Sequence, residues 1–138
     1  MSDLTTSDKS GGNNNYDILI VDDSKYIIEL ATQIIRSKGF ICKAVNNLLE
    51  AEREFMFHSP KLIFLDVNLP DSNGYDFCKK VRSNEKQRNT LIYYFTGIPE
   101  AEIAIKTLET KADGYLKKPF DLSDFNDILA QLDKKAIV

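Results

Sequence analysis

Leu62-Ile-Phe-Leu-Asp66-Val-Asn-Leu-Pro70-Asp-Ser-Asn-Gly74 is the stretch on which the fold turns. Four apolar residues, Leu62 to Leu65, run without a break into an acid, and Pro70 and Gly74 punctuate the polar loop that follows. A short run that is apolar on both faces fits a strand buried within a parallel sheet. Asp66 then stands where the strand leaves the core. In open α/β sheets that carboxyl edge is where ligands and chemistry collect. Asp66 is the first candidate functional residue, and its partners are expected at the ends of neighbouring strands.

The same alternation extends to both sides. Ile18 to Val21 reads as a strand ending at Asp22-Asp23, and Ser24 as the N-cap of a helix carrying Ile27, Leu30, Ala31, Ile34 and Ile35. Phe40 to Val45 reads as an edge strand, followed by a helix capped by Asn46 or Asn47 with Leu48, Ala51 and Phe55 inward. Beyond the central stretch, Tyr75 to Arg82 predicts a short helix with Phe77, Cys78 and Val81 inward. Thr90 to Phe95 predicts a strand closed by Thr96-Gly97. The next helix shows an apolar stripe of Ala101, Ala104, Ile105, Leu108 and Ala112, which leaves Ile103 off the buried face. Tyr115 to Lys117 is a last strand before Lys118-Pro119-Phe120. Leu122, Phe125, Ile128, Leu129 and Leu132 mark the final helix. Repeated β-then-α units of this kind argue for a doubly wound α/β fold, a five-stranded parallel sheet with helices on both faces.

Composition sets the bounds. At 138 residues the chain holds one ordinary domain, expected over 16–138, behind a polar tail over 1–15 that is expected to be disordered. Its 43% hydrophobic and 28% charged residues are those of a soluble globular protein. A net charge of −3 gives no electrostatic case for nucleic acid or an acidic membrane. No apolar run nears the roughly 20 residues that span a bilayer, and no signal peptide is evident, so a cytoplasmic protein is expected. Cys42 and Cys78 read as reduced thiols. His58 reads as a helix cap or loop residue without a catalytic role.

With strands one, three, four and five side by side, Asp22-Asp23, Asp66 with Asn68, Thr96 with Gly97, and Lys118 converge on one edge. Crowded acids repel, which raises at least one pKa unless a cation is present, and a hard ion such as Mg²⁺ fits an all-oxygen set. A cation, a lysine and a hydroxyl around one carboxylate suit stabilisation of a phosphoryl group, with the carboxylate as nucleophile. Singly, each has an ordinary reading: a helix start, a local cap, a turn. Jointly, each at the end of its own strand, they do not.

The chain resembles the receiver domain of two-component response regulators, of the stand-alone chemotaxis-regulator type. The resemblance runs from about Tyr16 to Asp133. It rests on Asp22-Asp23, Asp66-Val-Asn-Leu-Pro70-Asp-Ser-Asn-Gly74, Thr96-Gly97 and Gly114-Tyr-Leu-Lys-Lys118-Pro119-Phe120. It implies a flavodoxin-like sheet of order 2-1-3-4-5 with five helices, an order for which a chemotaxis receiver is a standard example. It further implies that Asp66 is the phosphoacceptor and that Asp22, Asp23, Asp66 and the Asn68 carbonyl hold Mg²⁺. Thr96 and Lys118, but not Lys117, would contact the phosphoryl group. Tyr115 would be an aromatic switch coupled to Thr96, and the Lys118–Pro119 bond would be cis.

The implied partners are a histidine kinase or a histidine phosphotransfer protein, and a downstream protein on the face formed by helix 4, strand 5 and helix 5. The implied state is a monomer or a weak phosphorylation-dependent dimer, and the chain is no enzyme beyond its own phosphotransfer and autodephosphorylation. The rivals are a flavin module, an aspartyl phosphatase and a receiver-like scaffold that needs no phosphorylation. Asp22-Asp23 would repel a flavin's phosphate. The phosphatase's Asp-x-Asp after strand one is missing, and the intact acceptor set counts against the scaffold.

Overall fold

Strands and helices alternate strictly along the chain: β1 Ile18–Val21, α1 Lys25–Ser37, β2 Cys42–Val45, α2 Leu48–Phe57, β3 Leu62–Asp66, α3 Gly74–Ser83, β4 Leu91–Thr96, α4 Glu100–Thr110, β5 Gly114–Lys117 and α5 Leu122–Ile137. The computed structural model describes residues 15–69, 73–120 and 122–137. The tail expected over 1–15, all but its last residue, and Pro70 of the loop after β3 lie outside them. The strands form one parallel sheet in the order β2-β1-β3-β4-β5, the flavodoxin-like order that the sequence resemblance implied. No helix among the described residues is long and apolar enough to cross a membrane.

The order explains the crevice. From β1 the chain steps outward to β2, then returns to β3 on the other side. The connection after β1 leads to α1 on one face of the sheet, and that after β3 leads to α3 on the other. The two connections diverge and leave the carboxyl ends of β1 and β3 open between them.

Two cores flank the sheet. Leu19, Val21, Ile63, Leu65, Ile92 and Tyr94 pack against α2, α3 and α4, while Ile18, Ile20, Leu62, Phe64 and Phe95 pack against α1 and α5. All five residues of β3 are buried, as its unbroken apolar run requires. Below the β5–α5 turn, Phe95 lies 4.8 Å from both Phe64 and Phe120, and Phe120 lies 4.9 Å from Phe125. Local signals fix the helix ends. The Ser24, Asn47 and Asn73 side chains accept the N–H groups of Ile27, Glu50 and Tyr75, and Gly39, at φ +90, turns the chain after α1. His58 caps the C-terminus of α2, and both cysteines are free thiols.

At the opposite, amino edge of the sheet, the Arg82 guanidinium gathers several segments. It donates to the carbonyls of Lys111 and Thr90 at 2.7 Å and of Arg88 at 3.1 Å, and pairs with Asp113 at 2.6 Å. Asp113 in turn accepts the N–H of Ile92 at 2.8 Å. A planar fork with several donors is suited to such a task.

The buried face of α4 departs from the sequence reading. Ile103 is fully buried, whereas Ile105 and Leu108 are 56% and 80% exposed. The inward face runs through Ile103, Thr107 and Thr110. Each threonine hydroxyl donates to the carbonyl one turn back, at 2.7 and 2.8 Å, and Thr110 also shares a 2.6 Å hydrogen bond with the Tyr94 hydroxyl. Tyr94 brings a polar tip to this interface, so a satisfied threonine sits where a stripe of aliphatic residues was expected. Leu122, expected inward, is half exposed at the first position of α5. Urea unfolding separates the two α4 faces: Ile103→Ala should lower stability by about 2–4 kcal/mol, and Leu108→Ala by less than about 0.5 kcal/mol.

Candidate functional site

Four strand ends build the site. Asp22 follows β1, Asp66 closes β3, Thr96 closes β4, and Lys118 follows β5 at the cis Lys118–Pro119 bond. Asp22 is fully buried, Asp66 and Thr96 are nearly so, and Asp23 is exposed at the rim. One oxygen from each of Asp22, Asp23 and Asp66 lies within 4.8 Å of the others. The Lys118 ammonium lies 2.9 Å from Asp22 Oδ2 and 3.6 Å from Asp66 Oδ2. Every acid and base expected at this edge is thus brought together.

Each of the two buried carboxylates has one oxygen held by the backbone. Asp22 Oδ1 accepts the N–H of Ser24 and Asp66 Oδ1 that of Asn68, both at 2.9 Å. These short-range bonds aim the second oxygens inward. Asp22 Oδ2 is buried with no hydrogen-bond partner among the described residues, beside the ammonium. A buried carboxylate oxygen left in that state, beside two further carboxylates, fits a hard divalent cation, and the all-oxygen donor set suits Mg²⁺.

Burial raises the Asp66 pKa above the ordinary carboxylate range. The Asn68 N–H opposes that shift, the charges of Asp22 and Asp23 add to it, and Lys118 opposes it. The repulsion expected from the sequence is present, but desolvation is the larger cause.

Asn68 is exposed beside the site. The Thr96 hydroxyl accepts the N–H of Ile98 at 3.0 Å. Tyr115 lies partly exposed, its hydroxyl donating to Glu100 Oε2 at 2.8 Å. Lys117 stays out of the site: its ammonium donates to the carbonyl of Ile98. Period-two alternation along β5 puts Lys117 on the same side as Tyr115 and away from Leu116, so neighbouring lysines serve different places.

One contributor, Gly74, was singled out in the sequence without its structural role, and another, Glu100, was missed. Gly74 abuts β3 so closely that a Cβ there would lie 3.1 Å from the Asp66 carbonyl oxygen and 3.3 Å from Val67 Cα. Its place in the loop after β3 was a signal for a close backbone approach. Glu100, the partner of Tyr115, left no signal, because an acid in the first turn of a helix is explained by the helix dipole alone.

Residues 18–130 match the response regulator receiver domain family. The chain belongs to that family. The transcriptional regulatory protein CusR of Escherichia coli is 36% identical over 115 residues, which cover 83% of this chain and 48% of CusR. The regulatory protein AtoC of the same species is 31% identical, over 81% of this chain and 24% of AtoC. The receiver therefore spans about half the length, or less, of these curated relatives. The solved structure of the Vibrio cholerae chemotaxis protein CheY4 has a TM-score of 0.77 at 26% identity, covering 84% of this chain and 97% of that one. A two-component response regulator from Clostridium difficile has a TM-score of 0.78 at 27% identity, covering 88% and 98%. The receiver is accordingly a phosphoacceptor signalling domain, and the scaffold, flavin and phosphatase readings are not favoured.

The raised Asp66 pKa carries a sign. In the folded receiver without divalent ions, an ionised Asp66 is disfavoured relative to the unfolded chain, where a carboxyl titrates near ~3.9. The penalty is absent below that unfolded value and complete above the folded one. In EDTA at neutral pH, Asp66→Asn should therefore have a higher urea midpoint than the parent. The difference should shrink to nothing as the pH falls below the unfolded carboxyl range.

Proposed function

We propose that Asp66 accepts a phosphoryl group from a phosphohistidine, on a histidine kinase or a histidine phosphotransfer protein. The observation that carries this is the meeting of three carboxylates within 4.8 Å with one lysine at 2.9 and 3.6 Å from two of them. An oxygen of Asp66 forms the new bond to phosphorus as the phosphorus–nitrogen bond breaks, and the imidazole leaves with its electron pair and takes a proton. Asp22, Asp23, Asp66 and the Asn68 carbonyl would hold Mg²⁺, which supplies charge stabilisation to the phosphoryl oxygens. Lys118 shifts from Asp22 toward a phosphoryl oxygen as a point charge, and the Thr96 hydroxyl donates to another. The Asn68 N–H keeps the Asp66 carboxylate oriented for attack.

Residues 16–138 form the receiver unit, preceded by a tail over 1–15. Its catalysis is confined to its own phosphotransfer and dephosphorylation. The setting is cytoplasmic, and the chain is a monomer or a weak phosphorylation-dependent dimer. Output passes to a protein through the face of α4, β5 and α5, where Ile105 and Leu108 on α4 are exposed. Tyr115 reports the phosphorylated state to that face by leaving Glu100 and moving inward as Thr96 moves. A local charge event thereby biases a packing equilibrium.

Intact mass after incubation with Mg²⁺ and acetyl phosphate tests the acceptor. The parent should gain one phosphoryl group and Asp66→Asn none, while Lys118→Ala and Thr96→Ala should load at rates lower by on the order of 10²-fold. Gain of the same group by Asp66→Asn would overturn the assignment. The cation is tested separately by unfolding: at a Mg²⁺ concentration ten times its Kd the parent should gain about 1.4 kcal/mol. Asp23→Asn should lose most of that gain.

A further inference from the structure

The connection between β4 and α4 is held from β5 at two points. Tyr115 and Lys117 are two residues apart on one side of β5, and they reach Glu100, the first residue of α4, and Ile98, two residues before it on the connection. The first contact is the 2.8 Å hydrogen bond from the Tyr115 hydroxyl to Glu100 Oε2. In the second, the Lys117 ammonium donates to the Ile98 carbonyl. Ile98 is thus held on both sides of its Cα, because its N–H donates to the Thr96 hydroxyl at 3.0 Å.

This arrangement fixes Thr96. A hydroxyl that accepts the N–H two residues ahead is parked in a local turn of the chain. For its oxygen to leave that position, the Ile98 peptide must lose a partner or move with it. Movement of Ile98 in turn pulls its carbonyl from a half-buried ammonium, and a hydrogen bond to a charged donor is stronger than a neutral one. The Ile98 carbonyl is the partner that the structure gives the Lys117 ammonium.

We propose that Lys117 is a positioning residue which, with Glu100, clasps the β4–α4 connection in its unphosphorylated form and sets how readily Thr96 reaches the phosphoryl group. The proposal rests on the phosphoacceptor reading and assigns a role to two residues outside the charged site. Lys117 touches neither the acids nor the position of the phosphoryl group. Its loss should change the switching equilibrium and leave cation binding alone.

Beryllofluoride, a phosphoryl mimic that activates the related receiver DrrB, is the probe. Titrated calorimetrically in saturating Mg²⁺, it should bind Lys117→Met about fivefold more tightly than the parent, since a contact present only in the unphosphorylated form has been removed. Lys117→Arg, which keeps a cationic donor, should return toward the parent value. Glu100→Gln, which weakens the acceptor for Tyr115, should tighten binding to a smaller extent. Mg²⁺ affinity should be the same in all of them. In the absence of any ligand, the Ile98 amide of Lys117→Met should exchange with solvent several-fold faster, a readout that depends on the clasp and not on the mimic. Unchanged or weaker beryllofluoride binding by Lys117→Met, with Mg²⁺ affinity intact, overturns the clasp and leaves the acceptor reading standing. A parent that binds Mg²⁺ but neither beryllofluoride nor a phosphoryl group overturns both.

Discussion

Much of the upper half of the molecule answers to the burial of carboxylate charge at the end of the central strands. Asp22 and Asp66 are withdrawn from water at the points where β1 and β3 leave the core, and like charges in that setting are unfavourable without compensation. Two features meet the demand in part: the Ser24 and Asn68 N–H groups take one oxygen each, and the Lys118 ammonium faces the other two, of which Asp22 Oδ2 has no hydrogen bond among the described residues. Lys118 can stand there because the turn behind it is anchored by Phe120 among Phe95 and Phe125. An apolar cluster on one side of the sheet therefore positions the charge that balances the acids.

Whatever depended on strict local rules was legible in the chain. The unbroken run of β3, the capping residue Ser24, the Asn46-Asn47 pair of which Asn47 is the cap, and an acid, hydroxyl or lysine at each relevant strand end carried their positions directly. The order of the strands was not readable from hydrophobic pattern and came from the family resemblance. The face of α4 was misread because burial there follows partners and not polarity. Thr107 and Thr110 are inward since their hydroxyls are satisfied by the preceding turn and by Tyr94, a contact between residues 94 and 110 that no window on the helix reveals. Glu100 and Lys117 were invisible as partners for the same reason. Each looks like ordinary surface charge until the sheet brings β5 beside the β4–α4 connection.

The two edges of the sheet differ in kind. At the carboxyl edge the contacts are few per side chain: the Lys118 ammonium faces two acids, the Tyr115 hydroxyl donates to one exposed acceptor, and the Thr96 hydroxyl accepts one local N–H. At the amino edge, Arg82 draws α3, the loop before β4, and the turn after α4 into one set of bonds with Asp113.

That asymmetry divides the molecule between endurance and responsiveness. Because the Arg82 knot holds the same strands whose far ends carry the chemistry, rearrangement above need not loosen the foundation below. The resistance of the domain to unfolding then draws on the amino edge as well as on the charged site, where the buried Asp66 lowers it. Selection acting on heat tolerance can work on the amino edge, while selection acting on signal timing works on the carboxyl edge. A substitution at the amino edge need not disturb signalling, whereas one at Asp66 alters stability and signalling together.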